Sequence, residues 1–151
     1  MINPLECLWE NDKIIETINN LFVYTDNRDW ENVKKCFTDN VYFDMTSTGA
    51  EKAEVIKSAQ ITDVWKEGLK SLQSIHHQAG NYKVEVNENS ANAFCYGMAI
   101  HYLKTKSGNN SRTFVGSYNF HLTRIDSQWL IDSFRFNLKF IDGNPDLEND
   151  N

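Results

Sequence analysis

The chain has 151 residues, enough for one domain with one sizeable core. Its 40% hydrophobic and 13% aromatic content suits a folded protein with a cavity, while a net charge of −6 with no basic run argues against nucleic acid as a partner. Cys7, Cys36 and Cys95 form an odd set without a CxxC spacing, which favours free thiols in a reducing compartment.

Residues 1–8 are expected to be a loose arm. Met1 to Lys13 lacks the basic start and apolar run of a secretion signal, and no stretch of the chain is long and apolar enough for a membrane span. A soluble, cytoplasmic protein is the expectation. A helix is predicted from about Trp9 to Thr25, with Ile14, Ile15, Ile18, Leu21 and Phe22 forming its apolar stripe. Four residues past Phe22, that stripe reaches Asp26. A carboxylate on a core-facing surface costs several kcal/mol, on the order of an unpaired buried charge, unless it finds a partner. His76, His77, His101 and His121 are the available partners, and an Asp–His pair in an apolar cavity makes a general base. The simpler reading is that Asp26 only ends the helix.

Asp29 is a plausible cap for a short helix, Trp30 to Phe37. Asn40 to Met45 reads as a strand. Residues 51–73 read as a helix with Val55, Ile56, Ile61, Val64, Trp65, Leu69 and Leu72 on one face. Four long strands follow, at about 75–87, 91–105, 112–125 and 128–140, separated by turn-rich tetrapeptides or dipeptides. Short turns between long strands imply an antiparallel meander. Helices first and a curved sheet after give an α+β fold with a single domain over 9–141. Residues 142–151 are expected to be an acidic, flexible tail.

The strands alternate without a wet face. Ala91, Ala93, Cys95, Gly97 and Ala99 alternate with Phe94, Tyr96, Met98, Ile100 and Tyr102, and Phe114, Tyr118, Phe120 and Leu122 alternate with Val115, Ser117, Asn119 and His121. One face is expected to enclose a cavity and the other to meet a second copy, in a homodimer or homotrimer. The small-residue face leaves room for a pocket, so both aromatic sets are assigned to the outside. His101 shares the small-residue face and can line the pocket. Of His76 and His77 only one can enter the cavity, and parity does not decide which, because Gly80 can mark a bulge. A metal site from Asp26, His77, His101 and His121 lacks supporting spacing, and Cys95 reads as core rather than nucleophile.

Four segments carry a family resemblance. They are Asp26-Asn27-Arg28-Asp29-Trp30; His77-Gln78-Ala79-Gly80; the surroundings of His101; and Ser117-Tyr118-Asn119-Phe120-His121 followed by Arg124-Ile125-Asp126 and Trp129. On these the chain resembles SnoaL-like proteins of the nuclear transport factor 2-like superfamily over about residues 10–140, with scytalone dehydratases nearest in motif. The resemblance implies a cone-shaped, mixed or antiparallel curved sheet wrapped around N-terminal helices, a cystatin-like α+β barrel.

It also implies Asp26, His77 and His101 as catalytic residues, with His77 matching better than His76. Ser117 and Asn119 would bind substrate, with Tyr24, Met45 and Trp65 beside them. No cofactor and no metal are expected. Scytalone dehydratases polarise the substrate with two tyrosines, and Thr25 and Met45 stand at those positions here. The implied function is dehydration of a small hydrophobic cyclic hydroxy-carbonyl compound. Isomerisation or cyclisation of a similar substrate, or ligand binding without catalysis, are the alternatives.

Overall fold

A computed structural model describes residues 3–151, and within them the chain order is helix, helix, strand, strand, helix and four long strands. Helix α1 spans Pro4–Asp26 and α2 Trp30–Lys35. Strands β1 (Phe37–Asp44) and β2 (Glu54–Lys57) precede α3 (Ser58–Leu69). The long strands are β3 (Ser74–Asn87), β4 (Ser90–Tyr102), β5 (Ser111–Ile125) and β6 (Gln128–Gly143).

All six strands form one sheet in the order β2-β1-β6-β5-β4-β3. The four long strands make the expected antiparallel meander. Strand β1 lies parallel to β6, so the sheet is mixed, and it stays open, with β2 and β3 at its edges. It curves over α1, whose Ile14, Ile18, Leu21 and Phe22 are buried against Tyr118, Phe120, Leu122, Phe134 and Phe136. No helix of the described residues is long and apolar enough to cross a membrane.

Four expectations are corrected. Helix α1 begins at Pro4 rather than Trp9. Asn3 caps it by accepting the Leu5 amide at 2.8 Å, and Glu6 accepts the Asn3 amide at 3.2 Å, a capping box with proline at the first helical position. Of the supposed arm, residues 1 and 2 lie outside the described residues. The predicted helix over 51–73 is shorter, because Glu54-Val55-Ile56-Lys57 pairs with β1 as an edge strand and α3 starts at Ser58. A β-branched pair suits a pleated strand as well as a helix face.

The C-terminal residues are docked rather than flexible. Leu147, in a 3-10 turn over Leu147–Asn149, is fully buried against Leu72 and Ile75. Finally, Phe114, Tyr118, Phe120 and Leu122 face inward, not outward. Antiparallel register places Tyr118 opposite Cys95 and Phe120 opposite Ala93, and paired residues share a face. The small residues of β4 make room for the large ones of β5.

Candidate active site

Asp26 is the last residue of α1, one turn beyond Phe22. The chain reverses there through Arg28, whose φ is 55°, and the Arg28 guanidinium donates to the Leu72 carbonyl at 2.5 Å. The helix end is thereby tied to the start of β3, where His77 lies. The Asp26 carboxylate holds His77 twice: Oδ1 lies 2.6 Å from the ring Nδ1, and Oδ2 accepts the His77 backbone N–H at 2.8 Å. Both side chains are largely shielded, with 17% and 14% exposure. In a neutral imidazole this contact places the proton on Nδ1 and leaves the Nε2 lone pair free. Phe22 stacks on the ring with centroids 5.3 Å apart, which limits its rotation.

His76 is exposed on the other face. The strand's inward parity changes along its length: His77 and Ala79 turn in, then Tyr82, Val84 and Val86 pack on the core. The change occurs at a bulge between Gly80 and Lys83, where Asn81 has φ 58°.

His77 opens onto an apolar cavity of about 460 Å³. Phe22, Thr25 and Tyr118 line it. Phe43, Met45, Trp65, Phe134 and Phe136 also line it, as do Ala99, His101 and Phe114. Val64, Gly68 and Leu69 of α3 border it, with Thr48 and Ala50 from the β1–β2 connection. Trp65 is set by edge-on contacts with Phe37 and Phe134. Met45 and Trp65 therefore line the cavity with His77 and His101.

His101 lines the cavity with its Nδ1 3.1 Å from the Arg112 guanidinium. Arg112 is in turn gripped by Glu148, through contacts of 2.8 and 2.6 Å. Burial, reinforced by the Arg112 charge, lowers the His101 pKa to about 4, so the ring is neutral at neutral pH.

Four candidate residues lie elsewhere. Ser117 and Asn119 face the outer side of the sheet, opposite Tyr96 and Phe94, where Asn137 donates to Asn119 at 2.8 Å. Their parity is opposite to that of Tyr118, so they cannot reach the cavity. His121 shares that outer face and pairs with Asp132 at 2.6 Å. Tyr24 lines a separate, polar groove with Lys13 and Cys36. That groove is larger, at about 640 Å³, but holds none of the histidines, and the apolar cavity is the better candidate site.

Among the described residues no group of three or more His, Cys, Asp or Glu side chains is placed to hold a metal ion. All three cysteines are free, and burial raises the thiols of Cys36 and Cys95 to about 12, so neither is a nucleophile at neutral pH.

Sequence reasoning missed Tyr118. Its ring is held among Phe22, Phe120 and Phe136, burial raises its pKa, and no described residue hydrogen-bonds its hydroxyl. It is the phenol of this cavity, where Thr25 and Met45 provide none. The cross-strand alternation of small and large residues is the signal that could have found it.

Residues 6–135 match the family described as SnoaL-like domain. A comparison with curated proteins finds no match. Among solved structures, the Kfla4162 protein of Kribbella flavida superposes with a TM-score of 0.85 at 16% identity, over 90% of this chain and 95% of that one. A protein of Novosphingobium aromaticivorans described as a candidate scytalone dehydratase gives 0.79 at 14% identity, over 91% and 89%. A type 2 hexachlorocyclohexane dehydrochlorinase, LinA, gives 0.77 at 16% identity, over 94% and 93%. At these identities the likeness is one of fold.

Proposed function

Because the chain belongs to the SnoaL-like domain family and encloses a clamped histidine in an apolar cavity, we propose that it is a lyase removing water from a small, hydrophobic, cyclic hydroxy-carbonyl compound. The observation that carries this reading is the double hold of Asp26 on His77. It fixes the ring in place and keeps the free Nε2 for a substrate proton. In the reaction, His77 takes a proton from the carbon next to the substrate carbonyl, and the electron pair moves into an enolate. Asp26 stabilises the imidazolium that results.

His101 and the Tyr118 hydroxyl donate hydrogen bonds to the enolate oxygen. The enolate then re-forms the carbonyl and expels the β-hydroxyl, which leaves as water with the proton that His77 returns. Atoms and charge balance without a further reactant. Met45, Trp65, Phe134 and Phe136 supply the apolar contacts that orient the ring system.

The named dehydratase and dehydrochlorinase neighbours support the reading at the level of fold, since elimination is the chemistry that both descriptions name. The outer sheet face, with Tyr96, Met98, Tyr102 and Phe140 exposed, is read as the contact between copies of the chain. The test is a panel of cyclic β-hydroxy-ketones followed by mass and by ultraviolet absorbance. Loss of water with growth of a conjugated enone supports the proposal. Tight binding of panel members with no conversion would assign the cavity to ligand binding alone.

A further inference from the structure

Arg112 and Glu148 lie outside the cavity and touch no atom that the proposed reaction uses. They nevertheless form a tightly paired polar cluster beside it. The Arg112 guanidinium and the Glu148 carboxylate meet as two parallel contacts of 2.8 and 2.6 Å. Arg112 is 13% exposed and lies over the Phe114 ring at 5.3 Å, and Phe114 lines the cavity. Its buried Nε has no partner. An exposed pair of this kind contributes little, but this one is partly desolvated and directional.

Glu148 reaches Arg112 only because the C-terminal residues are packed down. Leu147 is buried on Leu72 and Ile75, and the Asn144 amide donates to the Asn109 carbonyl and to Asp150, both at 3.0 Å. Ordering such a segment costs backbone entropy, so its contacts must offset that loss.

The remaining donor of the cluster falls on His101. Arginine carries no acceptor and is not deprotonated in proteins. Where an Arg112 nitrogen lies 3.1 Å from Nδ1 of His101, that nitrogen of the imidazole must accept. A neutral ring that accepts at Nδ1 carries its proton on Nε2, and no described residue hydrogen-bonds Nε2. We propose that Arg112, gripped by Glu148, is a positioning residue that locks His101 as the Nε2–H tautomer and so presents a hydrogen-bond donor to the oxygen of a bound substrate. The C-terminal turn is then part of the site's construction. The two histidines of the cavity are held in opposite tautomers, His77 by a carboxylate and His101 by a guanidinium, one to accept and one to donate. The inference rests on the reading of His101 as the residue that meets the substrate oxygen. The charged or titratable groups facing His101 are Arg112 on β5, Glu148 on the C-terminal turn, His77 on β3 and Asp26 at the end of α1.

The test needs no substrate. Two-bond proton–nitrogen spectra of the ¹⁵N-labelled protein report the tautomer of each imidazole, with His101→Gln identifying its signals. The parent protein is expected to show neutral His101 with Nε2–H from about pH 5 to 8. Arg112→Gln should admit the Nδ1–H form and raise the His101 pKa. Arg112→Lys should retain the Nε2–H form, and Glu148→Gln, which frees the guanidinium, should admit part of the Nδ1–H form without raising the His101 pKa, because the Glu148 charge itself raises it. An Nδ1–H tautomer in the parent overturns the proposal even if every variant fails to fold. So does a folded Arg112→Gln protein with an unchanged His101 tautomer and titration. If the spectra are as expected but no cyclic hydroxy-ketone is dehydrated, the positioning stands and the proposed reaction falls.

Discussion

The ring of Tyr118 occupies the space where a side chain at Gly97 would stand: a Cβ there would lie 2.3 Å from Tyr118 Cε2. Gly97 and Tyr118 are on neighbouring strands, and the glycine lets the phenol settle into the cavity lining. The ring cannot retreat, because Phe22, Phe120, Phe134 and Phe136 surround it. Gly97→Ala should therefore destabilise the fold by roughly 1–3 kcal/mol, the usual cost of overpacking. Denaturant unfolding measures it. A variant as stable as its parent would mean that the ring has freedom this packing denies it.

The fold was largely legible in the sequence. Four strands set by turn-rich separators, and a helix stripe at Ile14, Ile18, Leu21 and Phe22, needed no tertiary information, and the expected α+β cone is the fold observed. That Asp26 needs a partner was legible, because a carboxylate that continues an apolar stripe demands one, while the choice of His77 came from the family resemblance, strand parity leaving His76 and His77 open. What failed was information that only register carries. Alternation along β5 already separates Tyr118 from Ser117, but that Tyr118 shares its face with Cys95, and so with the core, is set by cross-strand register. The same parity sent Ser117 and Asn119 outward. The N-terminal capping box is present in the letters Asn3-Pro4-Leu5-Glu6 and sets the helix start ahead of the apolar stripe. The docking of the acidic C-terminal segment was hidden, since a single buried Leu147 and one Arg112–Glu148 pair anchor it.

Asp26→Asn should fold and lose turnover by about 10²–10⁴-fold. An amide donates where the carboxylate accepted, which drives His77 toward the Nε2–H tautomer and removes its lone pair from the cavity. The variant should unfold no earlier than its parent, because a partly desolvated charge at a helix C-terminus is lost, where the helix dipole disfavours it. Thermal unfolding and turnover measured together separate the two effects. Loss of both would make Asp26 a structural residue.

Acid stability should reflect His101. Its folded pKa, about 4, lies below the ordinary value of 6.5, so the unfolded chain binds the extra proton first. The stability linked to this group is fully present above about pH 6.5 and is lost as pH falls toward about 4, by up to about 1.4 kcal/mol per pH unit. His101→Gln should flatten that stretch of the stability–pH curve, measured by urea unfolding at successive pH values. An unchanged slope would mean that His101 titrates as an ordinary exposed histidine.

The outer sheet face should bring copies of the chain together. Tyr96, Met98 and Phe140 are all more than a third exposed, and cross-strand pairing of Met98 with Val115 and of Val115 with Phe140 makes them neighbours. Sedimentation at micromolar concentration should show a dimer or trimer, and Met98→Lys with Phe140→Lys should dissociate it. A monomer near 17.5 kDa would show that this apolar face is tolerated in water.

The central claim is that His77, held by Asp26, is the base. Its most direct test is the rate at which the parent and the His77→Ala variant dehydrate the best cyclic β-hydroxy-ketone of the panel, with both proteins shown to be folded. The expected result is measurable turnover by the parent and a loss of about 10²–10⁴-fold in kcat for the variant, with binding retained. Near-full turnover by a folded His77→Ala protein would contradict the account.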